Sequence, residues 1–307
     1  MRKLHILGAL LLGLSSLLTA QNDIHYTMYM FNKLALNPAY AGSREALTMA
    51  AHYRNQWPGV TGAPKTYTLW AHTPFMNKRN GVGLSIVADE IGILNSYNIE
   101  GSYAYRIKMD KYKTFSVGLS GQLQYGRIHW DRADPLDVGD DFVPNAVSSK
   151  LNPNFGVGVY FMDRNYYVGA SIPRILKTTV YADEPISSIS LNAHRTYYLM
   201  GGFVTRLNSN VKLRPGILFA YNPHAPFEFD FNVSFVFIDR FLIGASYRLQ
   251  DSFDAIAQFQ ATDQIKVGLG VDFTLTELSN YSPGSFEVMV EYSLIQTGLR
   301  LNNIRFF

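Results

Sequence analysis

Phe115-Ser116-Val117-Gly118-Leu119-Ser120-Gly121-Gln122-Leu123-Gln124-Tyr125-Gly126 is the stretch that decides the fold. Large apolar residues stand at 115, 117, 119, 123 and 125, small or polar ones stand between them, and Gly121 is a local gap on the apolar side. A period of two marks a strand, and a tilted strand crosses a bilayer in about 9–11 residues. The same alternation returns in Val82-Leu84-Ile86-Ala88, Phe155-Val157-Val159-Phe161, Val267-Leu269-Val271-Phe273-Leu275 and Phe286-Val288-Val290-Tyr292-Leu294. Large residues on one face, with polar residues or glycine on the other, form the apolar-out, polar-in pattern of a transmembrane barrel. A soluble sandwich alternates in the same way with its large face turned inward, so other features have to decide between them.

The amino terminus points to export. Arg2 and Lys3 form a positive n-region, Leu4 to Leu18 an apolar h-region, and Thr19-Ala20 a small-residue cleavage site before Gln21. Residues 1–20 are therefore expected to be a signal peptide, too short for a spanning helix of about 20 apolar residues. Its removal takes Arg2 and Lys3 away and lowers the formal charge from +3 to about +1, which argues against a nucleic-acid partner. The absence of cysteine rules out a disulfide scaffold, thiol catalysis and cysteine zinc sites. No later stretch has 18 consecutive apolar residues, so no helical span is visible. With 17% charged residues and 20 each of Phe and Tyr, the membrane option left is a closed barrel.

Turn residues divide the rest into strands near 46–55, 64–74, 80–90, 94–107, 112–128, 153–163, 165–173, 194–206, 210–222, 227–238, 240–250, 253–261, 263–275 and 284–294. The fold expected is all-β, a transmembrane antiparallel barrel of about fourteen strands over residues 46–294, an even number as in bacterial barrels. Tight turns at Asp163-Arg164, Asn208-Ser209, Asp239-Arg240 and Thr262-Asp263 follow even-numbered strands, whereas the long connections 129–152 and 174–193 follow odd-numbered ones. Periplasmic turns are short and extracellular loops long, so both termini are expected on the periplasmic side of the outer membrane. Segments 194–206 and 210–222 alternate poorly. Residues 21–45, with Ile24, Tyr26, Met28, Tyr29, Met30, Phe31, Leu34 and Leu36, are too apolar for a free tail and are expected at the periplasmic mouth or inside the lumen. Residues 295–307 form a tail ending in Phe307, similar to the terminal sorting aromatic of such barrels.

Tyr29-Met30-Phe31-Asn32 and Leu36-Asn37-Pro38-Ala39-Tyr40-Ala41-Gly42-Ser43 are followed by Tyr53-Arg54-Asn55-Gln56-Trp57-Pro58-Gly59, Gly62-Ala63-Pro64-Lys65-Thr66 and His72-Thr73-Pro74. This run over residues 26–75 resembles the PorP/SprF family, Bacteroidetes outer-membrane proteins associated with the type IX secretion system. The resemblance implies a non-enzymatic barrel that anchors a secreted protein, such as a gliding-motility adhesin or its C-terminal domain, or assists its surface display. It also implies partners among secretion components and periplasmic lipoproteins, besides outer-membrane lipid. The motif residues Asn37, Pro38, Tyr40, Ala41, Gly42, Arg54, Asn55, Gln56, Trp57, Gly59, Gly62 and Pro64 are the candidate partner-binding set. Physically, Asn37-Pro38 demands an extended residue and begins a turn, and Ala41-Gly42 permits a positive φ where the chain bends into the first strand. Arg54 and Trp57 are residue types that carry binding energy, although Trp57 also suits the interfacial aromatic belt.

Candidate chemistry is sparse. Gly-x-Ser-x-Gly, His-Glu-x-x-His and a phosphate loop are missing from the sequence. The glycine pairs 81/83, 156/158 and 268/270 read as small lumen-facing residues, and no cofactor is expected. His52 and His72 are expected on the first two strands as satisfied lumen histidines, too few for a zinc site. Asp131, Asp134, Asp137, Asp140 and Asp141 crowd one long loop; calcium takes 6–8 oxygens, but the spacing is not that of the calcium-binding loop, which favours a solvated acidic loop. Glu287 and Glu291 share the lumen face about 13 Å apart, too far for joint catalysis, and are expected to pair with Arg248 or Lys266. A passive channel, or a lipid-modifying enzyme with nucleophile, base and orienter in contact, are the alternatives.

Overall fold

Strand alternation of this kind leaves backbone groups in need of a neighbour, and in the computed structural model the strands close into a ring in which each has a partner on both sides. The structure describes residues 25–294 except 45, 77, 133–146, 180–191 and 194. The expected signal peptide, the tail 295–307 with Phe307, and Asp134 to Asp141 of the acidic loop lie outside the described residues. The strands are β1 (Leu47–Asn55), β2 (Lys65–Phe75), β3 (Asn80–Ile91), β4 (Leu94–Lys108), β5 (Thr114–His129), β6 (Val147–Met162) and β7 (Tyr166–Ile172). They continue as β8 (Tyr197–Phe203), β9 (Val211–Tyr221), β10 (Glu228–Phe237), β11 (Phe241–Arg248), β12 (Ser252–Gln260), β13 (Ile265–Thr274) and β14 (Gly284–Leu294). Each pairs antiparallel with its neighbours in sequence, and β1 pairs with β14 through Leu47↔Leu294 to Asn55↔Phe286, which closes the barrel. Thr205–Arg206 prolongs β8 along β9, and Thr178–Thr179 forms a separate short ladder with Asn192–Ala193.

The two faces of the sheet are inverted relative to a water-soluble protein. Leu69, Leu119, Phe155 and Ile243 point outward and remain 56–60% exposed. Thr68, Ser120, Asn154, Glu287 and Glu291 point inward and are buried. Leaving so many large side chains unburied in water would forfeit about 1.5–3 kcal/mol each, so hydrocarbon is their solvent. A sandwich core between two sheets is thereby excluded.

Most strands lie within two residues of their expected positions. The largest difference is β6, which starts at 147 and not 153. Val147-Ser148-Ser149-Lys150-Leu151-Asn152 carries little apolar alternation, but β5 runs on to His129 and offers it a free ladder, from His129↔Val147 inward. Connections after even-numbered strands are three to five residues long when Thr205–Arg206 is counted in β8, so one end of the barrel carries only short turns. The opposite end carries 56–64, 130–146, 173–196, 222–227 and 275–283, with two tight turns at 92–93 and 249–251.

Residues 25–44 fill the lumen as a plug of three short turns, Tyr29–Phe31, Lys33–Leu36 and Pro38–Tyr40. His25 sits at the long-loop end, 3.2 Å from Glu228. Met28 N–H donates to Glu287 (3.1 Å), Asn232 donates to Tyr29 Oη, and Asn37 Nδ2 donates to Val159 O toward the short-turn end of β6 (2.9 Å). Arg44 reaches Glu291 near the short-turn end, from which β1 starts. The segment thus descends the whole lumen. Residues 25 and 294 lie at opposite ends of the barrel, and the chain ends beyond them, expected on the periplasmic side, lie outside the described residues. Loop-length parity places the start of the first strand at the short-turn end; the depth of the plug is not readable from it.

Candidate functional site

The motif residues separate into an inner and an outer group. Asn37, Pro38, Tyr40, Ala41 and Gly42 are buried inside the lumen, and as seated they present no surface to a partner. Asn37 is extended (φ −146°, ψ 111°) before Pro38; its Oδ1 accepts from Ala39 N–H (2.9 Å) while its Nδ2 donates to Val159 O and Ala170 O (2.9 and 3.4 Å). One side chain therefore caps the turn and ties it to the wall at β6 and β7. Gly42 has φ +71°, the left-handed geometry that glycine allows, and its N–H donates to His72 Nδ1 (3.1 Å). The wall is cut back to receive this segment: a Cβ on Gly118 would lie 2.1 Å from Ala39 N, and one on Gly81 2.0 Å from Ala41 O. Of the lumen glycines expected from the sequence, Gly81, Gly83, Gly158, Gly268 and Gly270 face the plug at Ala41, Leu34, Asn37, Met28 and Thr27, whereas Gly156 faces Ser120 and Pro173.

Charged side chains line the seam between plug and wall. Glu291 lies 2.5 Å from Arg44 and 2.8 Å from Lys266, all three buried. Arg54 pairs with Asp272 (2.7 Å) and donates to Thr27 Oγ1. Lys266 is thus a partner of Glu291 as expected, but Arg248 is not a partner of either glutamate. It holds Asp230 (3.0 Å) and Asp251 (3.1 Å), because β11 carries it toward the adjacent strand β10. Arg54, proposed from the motif as a charge offered to a partner, is 98% covered and holds Asp272 and Thr27 inside the lumen.

His52 and His72 both face the lumen, separated by Trp70. His52 Nδ1 lies 2.9 Å from Glu287 and its Nε2 accepts from Trp70 Nε1 (3.2 Å), while Trp70 stacks on His72 at 5.6 Å. The His52–Glu287 pair has the form of a base and its orienter, but the third position holds an indole N–H, a donor with no nucleophilic character. Among the described residues no group of three or more His, Cys, Asp or Glu is placed to hold a metal. Asp131, the described part of the acidic loop, lies 3.5 Å from His129.

The outer motif group lies on the long-loop rim. Asn55, Gln56, Trp57 and Pro64 are half-buried, and Gly59 and Gly62 are exposed. Trp57 adopts φ +45° and lines the lumen mouth with Gln56, so it is not part of a lipid-facing belt. The loop turns on Val60 N–H to Trp57 O (3.1 Å) and abuts the tight turn after β3 through Gly92 N–H to Gly62 O (2.8 Å).

A family model described as "Type IX secretion system membrane protein PorP/SprF" matches residues 18–292. The chain belongs to the PorP/SprF family. Comparison with curated proteins gave no sequence match. Among solved structures this PorP/SprF chain is similar to the CymD monoaromatic hydrocarbon channel, at TM-score 0.52 and 12% identity, over 85% of this chain and 92% of that one. It is also similar to a Pseudomonas aeruginosa FadL homologue (TM-score 0.49, 12% identity, 84% and 93% covered) and to the P. putida toluene transporter TodX (0.49, 10%, 84% and 92%). At such identities the likeness speaks for the fold alone: this PorP/SprF protein is an outer-membrane β-barrel.

Proposed function

We propose that this PorP/SprF barrel is a plugged, non-enzymatic scaffold that anchors or helps display a type IX-secreted protein, such as a gliding adhesin or its C-terminal domain, at the cell surface. Secretion components and periplasmic lipoproteins are its further partners. The observation that carries the reading is the lumen filled by residues 25–44, which are bonded to the wall from His25 to Arg44. A filled lumen leaves the two rims for partner contacts. With periplasmic turns short, the long-loop rim that carries Trp57, Gly59 and Gly62 faces the exterior.

Tagged chain solubilised from native membranes is expected to bring down a secreted adhesin or a secretion component. Repeated recovery of the chain alone would overturn the reading. The channel alternative predicts steady single-channel steps in planar bilayers, whereas the plugged scaffold predicts silence. The lipid-modifying alternative predicts activity on phospholipid or lipid A that disappears on His52→Ala.

A further inference from the structure

Charges in the lumen are sorted by depth. Asp89, Glu100, Asp230, Asp254, Asp272 and Glu287 are buried in the long-loop half, whereas Glu291 is the one buried carboxylate described in the short-turn half. That half holds five buried cations: Lys33 and Arg44 of the plug, and Arg106, Arg214 and Lys266 of the wall. Glu291 is taken up by Arg44 and Lys266, at 2.5 and 2.8 Å. Lys33 and Arg214 are left without a carboxylate.

Lys33 Nζ donates to Met30 O (3.1 Å) and lies over the Tyr167 ring at 4.4 Å. The largest charges acting on it are those of Arg214 and Arg44, both positive. Arg214 is 92% covered, its guanidinium 5.3 Å from the Phe31 ring centre, and among the described residues it has neither a hydrogen bond nor an ion pair. Tyr160 is within electrostatic reach of Arg214 and packs on Tyr40 and Tyr167; its buried hydroxyl finds no partner. A lysine can give up its proton, but a guanidinium does not, so Arg214 remains a buried charge in need of an opposite one. Plug cation thus faces wall cation, with donors in excess of acceptors around both.

We propose that Lys33 and Arg214, with the Tyr160 hydroxyl, hold a small oxyanion of the phosphate class, which ties the plug to the wall at the short-turn end. A guanidinium fork and an ammonium suit its oxygens. Residues only 1–8% exposed exclude a protein segment and leave a small ion from the short-turn mouth as the occupant. The site does not depend on the scaffold reading.

The test uses full-length barrel refolded without lipid in an uncharged detergent and dialysed against radiolabelled inorganic phosphate. Saturable binding is expected, about tenfold weaker on Arg214→Gln, which removes a charge-assisted contact, and about threefold weaker on Tyr160→Phe. Phosphate at fixed ionic strength should also raise the denaturant midpoint of the parent. Phosphate salts strengthen burial in any protein, so the increment that counts is the excess over Lys33→Met/Arg214→Gln. Without phosphate that double variant should be more stable than the parent, because the repulsion is gone. Retained heat-modifiable mobility in gels shows that a variant is still a barrel; should Arg214→Gln fail to fold, Lys33→Met takes its place. Absence of saturable binding, equal binding by parent and variant, or equal midpoint increments would each overturn the site. Binding of lipid A but not of free phosphate would place the anion at a headgroup outside the lumen and overturn it as well.

Discussion

The inner motif, Asn37 to Gly42, and the outer motif, Asn55 to Pro64, are adjacent in sequence and opposite in setting. The inner one is sealed against glycine-cleared wall, and every polar group of Asn37 is used. The outer one is a loop with exposed glycines and a tryptophan at the open mouth. A dense run of family residues is therefore split between two settings: one half seats the plug against the wall, and the other forms the long-loop rim proposed above for partner contacts.

Substitutions can break this contrast. The largest effect is expected at the foot of the plug. Glu291→Ala would strand Arg44 and Lys266 as buried charges, a loss of about 3–5 kcal/mol. Denaturant unfolding in detergent, read as heat-modifiable mobility, checks it; a shift below about 1 kcal/mol would mean the plug is not held there. Next, Gly118→Val would push Ala39 off the wall and cost about 1–3 kcal/mol by overpacking. The same variant should turn a silent barrel into one with conductance steps. A variant as silent as its parent would show that the inner motif is not what closes the lumen.

Asn37→Ala removes a cap and two wall bonds, and about 1–2 kcal/mol with them. Trp57→Ala should change stability by no more than about 0.5 kcal/mol while reducing partner recovery from membranes. If the stability losses of these two were equal, the division into inner and outer roles would collapse. The smallest effect lies in the short turn 109–113. The backbone N–H groups of Lys113 and then Tyr112 hold the Asp110 carboxyl below its usual range. A carboxylate with a depressed folded pKa stabilises above its unfolded value, near 4, and that contribution is lost as pH falls through the folded value. Asp110→Asn should therefore lower stability slightly at neutral pH, match the parent in acid below the folded value, and so flatten the acid limb of the pH–stability curve.

The poor alternation of segments 194–206 and 210–222 has a physical origin. Tyr198, Met200, Leu218 and Ala220 face inward, where an aqueous lumen would call for polar residues, and Met200 and Leu218 share one buried cluster with Met28, Tyr29 and Phe31 of the plug. A wall that meets an apolar plug is apolar on both faces, and period two fades there. Arg248 likewise has the alternation of a lumen residue, but its partner is set by which neighbouring strand offers a carboxylate at the same height.

Sequence by itself determined the number of strands, most of their positions and the bend at Gly42, because these follow from local periodicity and backbone sterics; the direction of the faces needed the export signal and the composition as well. It could also say that residues 21–45 were too apolar to be free. Only the tertiary structure decided that residues 25–44 run the length of the lumen, that Asn37 and Arg54 are turned inward, and that Trp57 lines the mouth. Those outcomes depend on ring closure, which brings residues hundreds apart in sequence to one height, as Thr27 and Asp272 show. No local pattern encodes that height.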